Sequence, residues 1–275
     1  MAAALEALGP DALPTSESRQ RLGIIYCAMA GCVNYSRRFY DETLRDPATA
    51  SPLVFPETVF NSPASHLASL LGTLSLNYTL VGDPGTYLQG LALAADWLLT
   101  DTVDACLVIG AEELDWLVAE ALRLFSHQSV LSAGAGALYL VRSRNEPREI
   151  RLEHVTAPQN FLARQPRVTA ARRVRQALPL ASQNTLLCDG LQGAPLLDTA
   201  EAEVWADWPG PRLSPKRICG EAFMAGAAWE CVAALDALSR QVSSTAIVSV
   251  MGCDQEAIAT QFGFAFEPAA KCTPQ

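Results

Sequence analysis

The sequence predicts an α/β fold in which helices pack against largely parallel sheets. Half of the 275 residues are apolar, and aromatic residues make up only 7%. Small and branched side chains suit close packing of helices on sheets better than a β-sandwich or a disulfide scaffold. Short apolar runs alternate along the chain with segments whose apolar residues recur at helical spacing. This alternation indicates repeated βα units.

Charge and cysteine usage exclude several classes of protein. The formal net charge of −9 argues against a nucleic-acid binder, because such a protein needs a basic surface. No two of the eight cysteines form a Cys-x-x-Cys pair, so we expect no metal and no cofactor. Cysteines inside apolar runs, such as Cys106, are typical of a reducing cytoplasm. We find neither a signal peptide nor a membrane-spanning run, and expect a cytoplasmic protein that binds no membrane.

The first half of the chain predicts four strands with helices between them. The apolar runs predict strands over residues 22–30, 75–81, 104–110 and 134–141. The helical spacing predicts helices over residues 35–45, 64–74 and 86–99. Prolines mark residues 47–63 as a loop. The order strand, tight turn, helix at residues 75–99 is the most distinctive local pattern.

The second half repeats this pattern after a polar stretch at residues 142–148. We therefore divide the chain into two repeats, 1–145 and 146–275, which pack as one compact unit. Predicted strands cover residues 149–155, 185–189, 212–219, 245–250 and 257–266. Predicted helices cover residues 168–178, 199–208 and 226–240. The similar halves suggest an internal duplication, although no short sequence repeat is visible.

Four segments of the first half resemble the β-ketoacyl synthases of the thiolase superfamily. Residues 61–72 look like the family's helix before the dimer strand, and residues 104–112 look like the strand that closes its first βαβ unit. The segment Gly-Thr-Tyr-Leu-Gln-Gly from Gly85 to Gly90 looks like the turn that carries the nucleophile. Residues 133–141 look like the family's Gly-Glu-Gly-Ala-Gly-Ala strand, with Ala133 in place of the usual glutamate.

The second half resembles the family more loosely. Asp198 and Glu201 match an Asp-x-x-Glu motif, and Lys216 with Gly220 matches Lys-Ser-x-x-Gly-His. The resemblance implies a thiolase-like fold, with two βα repeats stacked as α/β/α/β/α layers. It also implies that the N-terminal repeat lacks the family's first strand. The strand before the nucleophile turn, from Ser75 to Val81, is the one through which the family usually dimerises.

The resemblance places Tyr87 where a ketosynthase has its cysteine nucleophile. A condensing enzyme needs a thiolate there to accept an acyl group. A phenol with a pKa near 10 is a poor nucleophile for thioesters at neutral pH. The ring is also large enough to plug an acyl pocket. Tyr87 is therefore either a substrate-contacting residue that closes the pocket or a residue that only fills space at the start of a helix.

The two histidines of the family's site have no counterpart either. Their positions fall on Gly190 and Glu221, and the histidines of the chain lie elsewhere, at His66, His127 and His154. An ionised carboxylate accepts hydrogen bonds and cannot stabilise a developing enolate. Lys216 matches the family's lysine, and we expect it to pair with Glu221. We take Tyr87, Lys216 and Glu221 as the candidate substrate-binding set.

A rewired catalytic site is the alternative from the enzyme class. Cys188 and Cys219 flank the positions of the two lost histidines, and Glu221 could act as a base toward either thiol. Such a site would make an acyltransferase or thioesterase that acts on acyl thioesters. Against this, both cysteines end apolar runs that we interpret as strands, where buried structural thiols are common.

The leading hypothesis is a non-catalytic homologue that acts by binding. In the family, an active ketosynthase pairs with an inactive subunit, the chain length factor, which suggests a heterodimer or homodimer here. A third hypothesis is an acyl-binding protein without a partner enzyme. An acyl carrier protein is a further candidate partner because it is acidic. Its docking surface would be a cluster of five arginines, and the alternative is that these arginines form an ordinary solvated helix face. The cluster consists of Arg164, Arg167, Arg172, Arg173 and Arg175.

Overall fold

The structure is a computed structural model. It describes residues 1–10, 21–73, 76–124, 126–144, 146, 148–161, 166–179, 182–253 and 255–264. The strands are β1 (Leu22–Ala28), β2 (Asn77–Val81), β3 (Ala105–Glu112), β4 (Gly134–Val141), β5 (Ile150–Val155), β6 (Gln159–Asn160), β7 (Thr185–Cys188), β8 (Arg212–Leu213), β9 (Thr245–Met251) and β10 (Glu256–Phe264). The helices are α1 (Ala2–Leu8), α2 (Val33–Arg45), α3 (Ser62–Leu71), α4 (Thr86–Leu99), α5 (Trp116–Arg123), α6 (Arg167–Ala177), α7 (Pro195–Val204), α8 (Lys216–Cys219) and α9 (Phe223–Ser239).

Two sheets with matching strand orders form the framework. The first has the order β2-β1-β3-β4, and the second has the order β5-β10-β9-β7-β8 with β6 beside β10. In each sheet three strands run parallel and a fourth joins them antiparallel, β4 on β3 in the first and β10 on β9 in the second. The second sheet carries one more antiparallel strand, β5, on the far edge of β10.

Three apolar clusters stack the elements into five layers. The central cluster joins α4 and α9 to the inner faces of both sheets. A second cluster covers the outer face of the first sheet with α1 and α3. A third covers the outer face of the second sheet with α6 and α7. This α/β/α/β/α arrangement confirms the fold class expected from the sequence.

Some element boundaries differ from the prediction. The predicted strand over 212–219 is wrong beyond Leu213, because Pro215 removes a strand N–H group and begins a helical turn. The helix predicted over 199–208 starts four residues earlier, with Pro195 at its first position. The sequence also failed to predict α1, α5 and β6.

The strand predicted over 75–81 is observed as β2, while Ser75 lies outside the described residues. In the ranges that the structure describes, no helix has the length and apolar character needed to span a membrane.

Candidate functional site

Tyr87 lies in the tight turn that opens α4 and is wholly buried. Its backbone N–H donates to the carbonyl of Pro84 at 3.2 Å, which fixes the turn. Its ring packs in the central cluster so closely that a Cβ on Gly110 would lie 3.0 Å from its Cδ2. Its hydroxyl has no hydrogen-bond partner within the described part of the chain. Burial raises the pKa of Tyr87 well above its usual value, so the phenol stays protonated at neutral pH.

Gly190 lies just after β7 and faces a group of buried charges. Its N–H donates to Oε2 of Glu201 at 3.2 Å. A Cβ at this position would lie 3.2 Å from that oxygen and 3.8 Å from Nζ of Lys216. A side chain as large as imidazole therefore has no room at residue 190 unless these charged groups move.

Lys216 and Glu221 form the buried ion pair that the sequence predicts. Nζ of Lys216 lies 3.0 Å from Oε2 of Glu221, and each side chain is only 3% exposed. The turn α8 orients Lys216, while Oε1 of Glu221 accepts the N–H of Phe223 at the start of α9 at 2.8 Å. Burial lowers the pKa of Lys216, but the charges of Glu221 and Glu230 outweigh it and raise that pKa above its usual value. Lys216 is therefore a permanent cation.

Glu230 is a member of this cluster that the sequence analysis missed. It lies on α9 with its carboxylate 3.8 Å from Nζ of Lys216, and its side chain is fully buried. Its oxygens have no hydrogen-bond partner among the residues that the structure describes. Burial raises the pKa of Glu230 to about 8. The signal in the sequence was a charged residue, Glu230, within the otherwise apolar first ten residues, 226–235, of the helix predicted over 226–240.

Two further buried carboxylates, Asp189 and Glu201, lie close to Glu230. Asp189 accepts hydrogen bonds from Ser214 at 2.6 Å and from the guanidinium of Arg212 at 2.8 Å. Glu201 accepts from the hydroxyl of Ser249 at 2.6 Å, and burial raises its pKa to about 7. Acidic groups thus outnumber cations in the cluster. The raised pKa values of Glu201 and Glu230 mean that protonation offsets part of this excess charge.

The two candidate cysteines lie in very different surroundings. Cys188 is buried, its thiol donates to the carbonyl of Glu230 at 3.3 Å, and burial raises its pKa well above the usual value. A thiol of this kind is a poor source of thiolate. Cys219 is exposed and ends α8, so the interpretation that it ends a strand was wrong. Cys219 ends a helix and not a strand because Pro215 begins a helical turn.

The histidines lie outside this cluster. His66 on α3 contacts Glu57, His127 is exposed in a loop, and His154 lies on β5. Among the residues described, no group of three histidine, cysteine or acidic side chains is placed to hold a metal ion.

The turn between β9 and β10 is clamped from two sides. The carboxylate of Asp83 accepts backbone N–H bonds from Cys253 at 2.9 Å and from Gln255 and Glu256 at 3.2 Å. The guanidinium of Arg167 donates to the carbonyls of Gly252 and Cys253 at 2.7 Å. A Cβ on Gly252 would lie only 1.5 Å from Asp83, so this residue must be glycine. The clamp ties this turn to the turn that carries Tyr87.

We expect Asp83→Ala to lower the free energy of unfolding by about 3 kcal/mol, because three backbone N–H groups in partly or fully buried positions lose their acceptor. Urea unfolding followed by circular dichroism measures the change. Asp96→Ala, an exposed change on α4, is the matched control and should alter stability by less than about 0.5 kcal/mol. Equal effects of the two substitutions would contradict the clamp.

The arginines expected to form a docking surface are mostly engaged within the chain. Arg167 holds the clamped turn, Arg172 pairs with Glu203, and Arg175 lies 2.5 Å from Asp207. Arg173 is exposed on α6, and Arg164 lies outside the described residues. The docking of a carrier protein on this helix stays a prediction.

An apolar cavity of about 270 Å³ adjoins the clamped turn. Cys253 of that turn and Phe223 of α9 form part of its wall. Because the N–H of Phe223 bonds to Glu221, this cavity adjoins the cluster and offers space for an apolar ligand. The other lining residues lie just after β1 and on α5: Met29, Ala30, Leu117, Val118, Ala121 and Leu122.

Comparisons with known proteins agree with this architecture. No protein-family model matches the chain, and a search of curated proteins found no match. Among solved structures, it is similar to a β-ketoacyl synthase from Burkholderia phymatum, with a TM-score of 0.76, 15% identity, and coverage of 96% of this chain and 81% of that one. It is similar to the ishigamide ketosynthase/chain length factor, with a TM-score of 0.74, 17% identity, and coverage of 94% and 77%. It is also similar to a ketosynthase in complex with its chain length factor from Xenorhabdus doucetiae. The TM-score is 0.74, the identity is 16%, and the match covers 95% of this chain and 79% of that one.

The protein therefore has the thiolase-like fold of the β-ketoacyl synthases, as the sequence predicted. Its central site is made of a buried tyrosine and a cluster of buried carboxylates around one lysine. The structure brings Gly190, Lys216 and Glu221 together. Tyr87 lies in the adjacent apolar core, under the start of α9.

Proposed function

We propose that this protein is a non-catalytic ketosynthase homologue that acts as a chain-length-factor-like partner of an active ketosynthase. One observation carries the proposal. The residue that aligns with the nucleophile, Tyr87, is wholly buried and stays protonated, so it cannot accept an acyl group. The positions that correspond by resemblance to the two histidines hold Gly190, where a Cβ would already lie 3.2 Å from Oε2 of Glu201, and Glu221, which is paired with Lys216.

The rewired-enzyme alternative has little physical support at Cys188. Cys188 needs a thiolate to attack a thioester, but burial and the nearby carboxylates raise the pKa of its thiol. Glu221 accepts hydrogen bonds from Nζ of Lys216 and from the N–H of Phe223, so both of its carboxylate oxygens already have partners.

The free edge of β2 supports a binding role. Within the described residues, β2 pairs with β1 on one side only. Tyr78 and Val81 are about half exposed along this strand. An edge strand with unpaired N–H and C=O groups is a template for pairing with a strand of another chain. Two of the similar solved structures are the ishigamide ketosynthase/chain length factor and a ketosynthase in complex with its chain length factor. We infer that β2 joins this protein to a ketosynthase.

Co-expression with a condensing enzyme from the same genome tests this interface. Size-exclusion chromatography should show the two proteins eluting together, and Val81→Asp should weaken the complex by at least about 30-fold, because it places a charge in the interface. Val242→Asp is the matched control, since Val242 is 57% exposed and Val81 is 53% exposed. Loss of co-elution with both variants, or with neither, would refute the role of β2.

A further inference from the structure

The described residues leave the central apolar cluster incompletely covered at one side of the molecule. There β4 is an edge strand of the first sheet and β5 is an edge strand of the second. Leu138 and Leu140 of β4 and Leu152 of β5 pack against the central cluster but remain partly exposed. Leu99, the last residue of α4, lies with them and is 77% exposed. Apolar side chains that are exposed side by side, unlike single ones, mark a binding surface.

A cavity of about 390 Å³ lies between these two edge strands, and we call it the edge cavity. Its volume falls within the range of small-molecule sites, which begins at about 300 Å³. Such sites are lined mainly by apolar side chains, with a few polar groups that orient the ligand. The wall of the edge cavity is mostly apolar and includes Leu98, Leu138, Leu140, Leu152, Leu235 and Phe262.

The edge cavity is separate from the central site. Tyr87 lies in the first turn of α4, whereas Leu98 and Leu99 lie in its last turn. With a rise of about 1.5 Å per residue, these two ends of the helix are about 18 Å apart. No residue that lines the edge cavity belongs to the cluster around Lys216. A ligand of the edge cavity is therefore independent of the nucleophile position.

One end of the edge cavity is polar, where the chain leaves β4 and where it enters β5. Glu149 accepts a hydrogen bond from the hydroxyl of Ser143 at 2.7 Å and lies 3.6 Å from Arg151. The lining side chains at this end are Arg142, Ser143, Glu149 and Arg151. Two cations and one carboxylate thus line the polar end.

Arg142 can still bind an acceptor at this end. It donates to the backbone carbonyl of Leu98 and to Oδ1 of Asp101, and both bonds come from Nη2. A guanidinium has five N–H donors, so those on Nε and Nη1 remain for a ligand. The side chain of Arg142 is 51% exposed, and that of Asp101 is 73% exposed, so solvent screens their mutual attraction.

We propose that the edge cavity binds a small anionic amphiphile, a carboxylate with a single unbranched apolar chain. The apolar chain lies along Leu138 to Val141. These four strand residues span about 10 Å, roughly the length of an extended chain of eight carbons with bonds of about 1.5 Å. The carboxylate accepts hydrogen bonds from Nη1 of Arg142, and such charge-assisted bonds fix its orientation. An ammonium head would meet Arg142 and Arg151 and could accept no bond from either.

Isothermal titration calorimetry of the full-length chain with octanoate tests the proposal. Octanoate should bind at least about 10-fold more tightly than octylamine, which carries the opposite charge on the same chain. Leu99→Asp should weaken octanoate binding by at least about 10-fold, because it places a second carboxylate beside the apolar chain. Arg142→Gln should weaken octanoate binding by at least about 5-fold and leave the binding of 1-octanol unchanged.

Leu117→Asp is the control, because Leu117 lines the other apolar cavity and is 52% exposed. It should leave octanoate binding unchanged, and circular dichroism verifies that each variant is folded. Three results would overturn the proposal. The first is no heat of binding with octanoate, and the second is octylamine that binds as tightly as octanoate. The third is binding lost with Leu117→Asp and kept with Leu99→Asp, which would assign the ligand to the cavity beside the clamped turn. These measurements involve no ketosynthase, so their failure leaves the function proposed above untouched.

Discussion

Replacing Lys216 by methionine is expected to lower the free energy of unfolding by about 3–5 kcal/mol, the usual cost of removing one partner of a buried ion pair. Lys216 is the cation that faces Glu221 at 3.0 Å and Glu230 at 3.8 Å, and all three side chains are buried. Without it, these carboxyl groups must become protonated or draw water into the core. Urea unfolding at pH 7 measures the loss.

Two further variants separate charge from packing. Arg217→Met, one residue along the same turn, is exposed and should change stability by less than about 0.5 kcal/mol. Adding Glu221→Gln to Lys216→Met should recover part of the loss, because one buried charge is removed with its partner. A double variant less stable than Lys216→Met alone would show that the ion pair is not what stabilises this cluster.

The free energy of unfolding is expected to fall as the pH rises from about 5 to about 8. Burial raises the pKa of Glu230 to about 8 and the pKa values of Glu112 and Glu201 to about 7. The folded protein therefore holds protons that the unfolded chain releases above its ordinary carboxyl pKa near 4.3. Stability from these groups is complete below that pKa and is lost as the pH rises through the folded values. Each group contributes at most about 1.4 kcal/mol per pH unit.

Glu230→Gln tests which carboxyl group is responsible. The substitution removes the titrating group and keeps its shape, so the decline between pH 5 and pH 8 should become shallower by up to about 1.4 kcal/mol per pH unit. Urea unfolding in a series of buffers measures both slopes. Glu120→Gln, an exposed change on α5, should leave the slope of the unmodified protein intact. A stability that rises over this range in the unmodified protein would contradict the raised pKa values.

The sequence predicted the layered fold because each strand near the core is a short apolar run bounded by turn residues. It failed at residues 212–219, where the repeated order of strands and helices suggested a strand, but Pro215 begins a helical turn instead. The resemblance to the family's Lys-Ser-x-x-Gly-His motif led to the expected pair of Lys216 and Glu221, and the structure shows this pair. Local patterns thus gave the elements and the contacts between close neighbours.

The remaining parts of the site depend on contacts between distant segments. Glu230 belongs to the cluster because α9 brings it to within 3.8 Å of Lys216 at the start of α8. A carboxylate in an apolar helix does not by itself indicate which residue it will contact. Asp83 acts on backbone groups about 170 residues away. Such contacts leave no periodic pattern in the sequence. The arginines of α6 are the opposite case. The sequence suggested one shared surface, but the structure shows Arg172 and Arg175 in separate ion pairs with Glu203 and Asp207.

Intact-mass spectrometry tests the central claim most directly. The purified protein is incubated with acyl-CoA and acyl-carrier thioesters, beside an active ketosynthase as a positive control. We predict that the ketosynthase gains an acyl group and that this protein gains none, because Tyr87 is buried and Cys188 is protonated. An acyl adduct on this protein that disappears with Cys188→Ala or Cys219→Ala would contradict the non-catalytic account and establish an acyl-transferring enzyme.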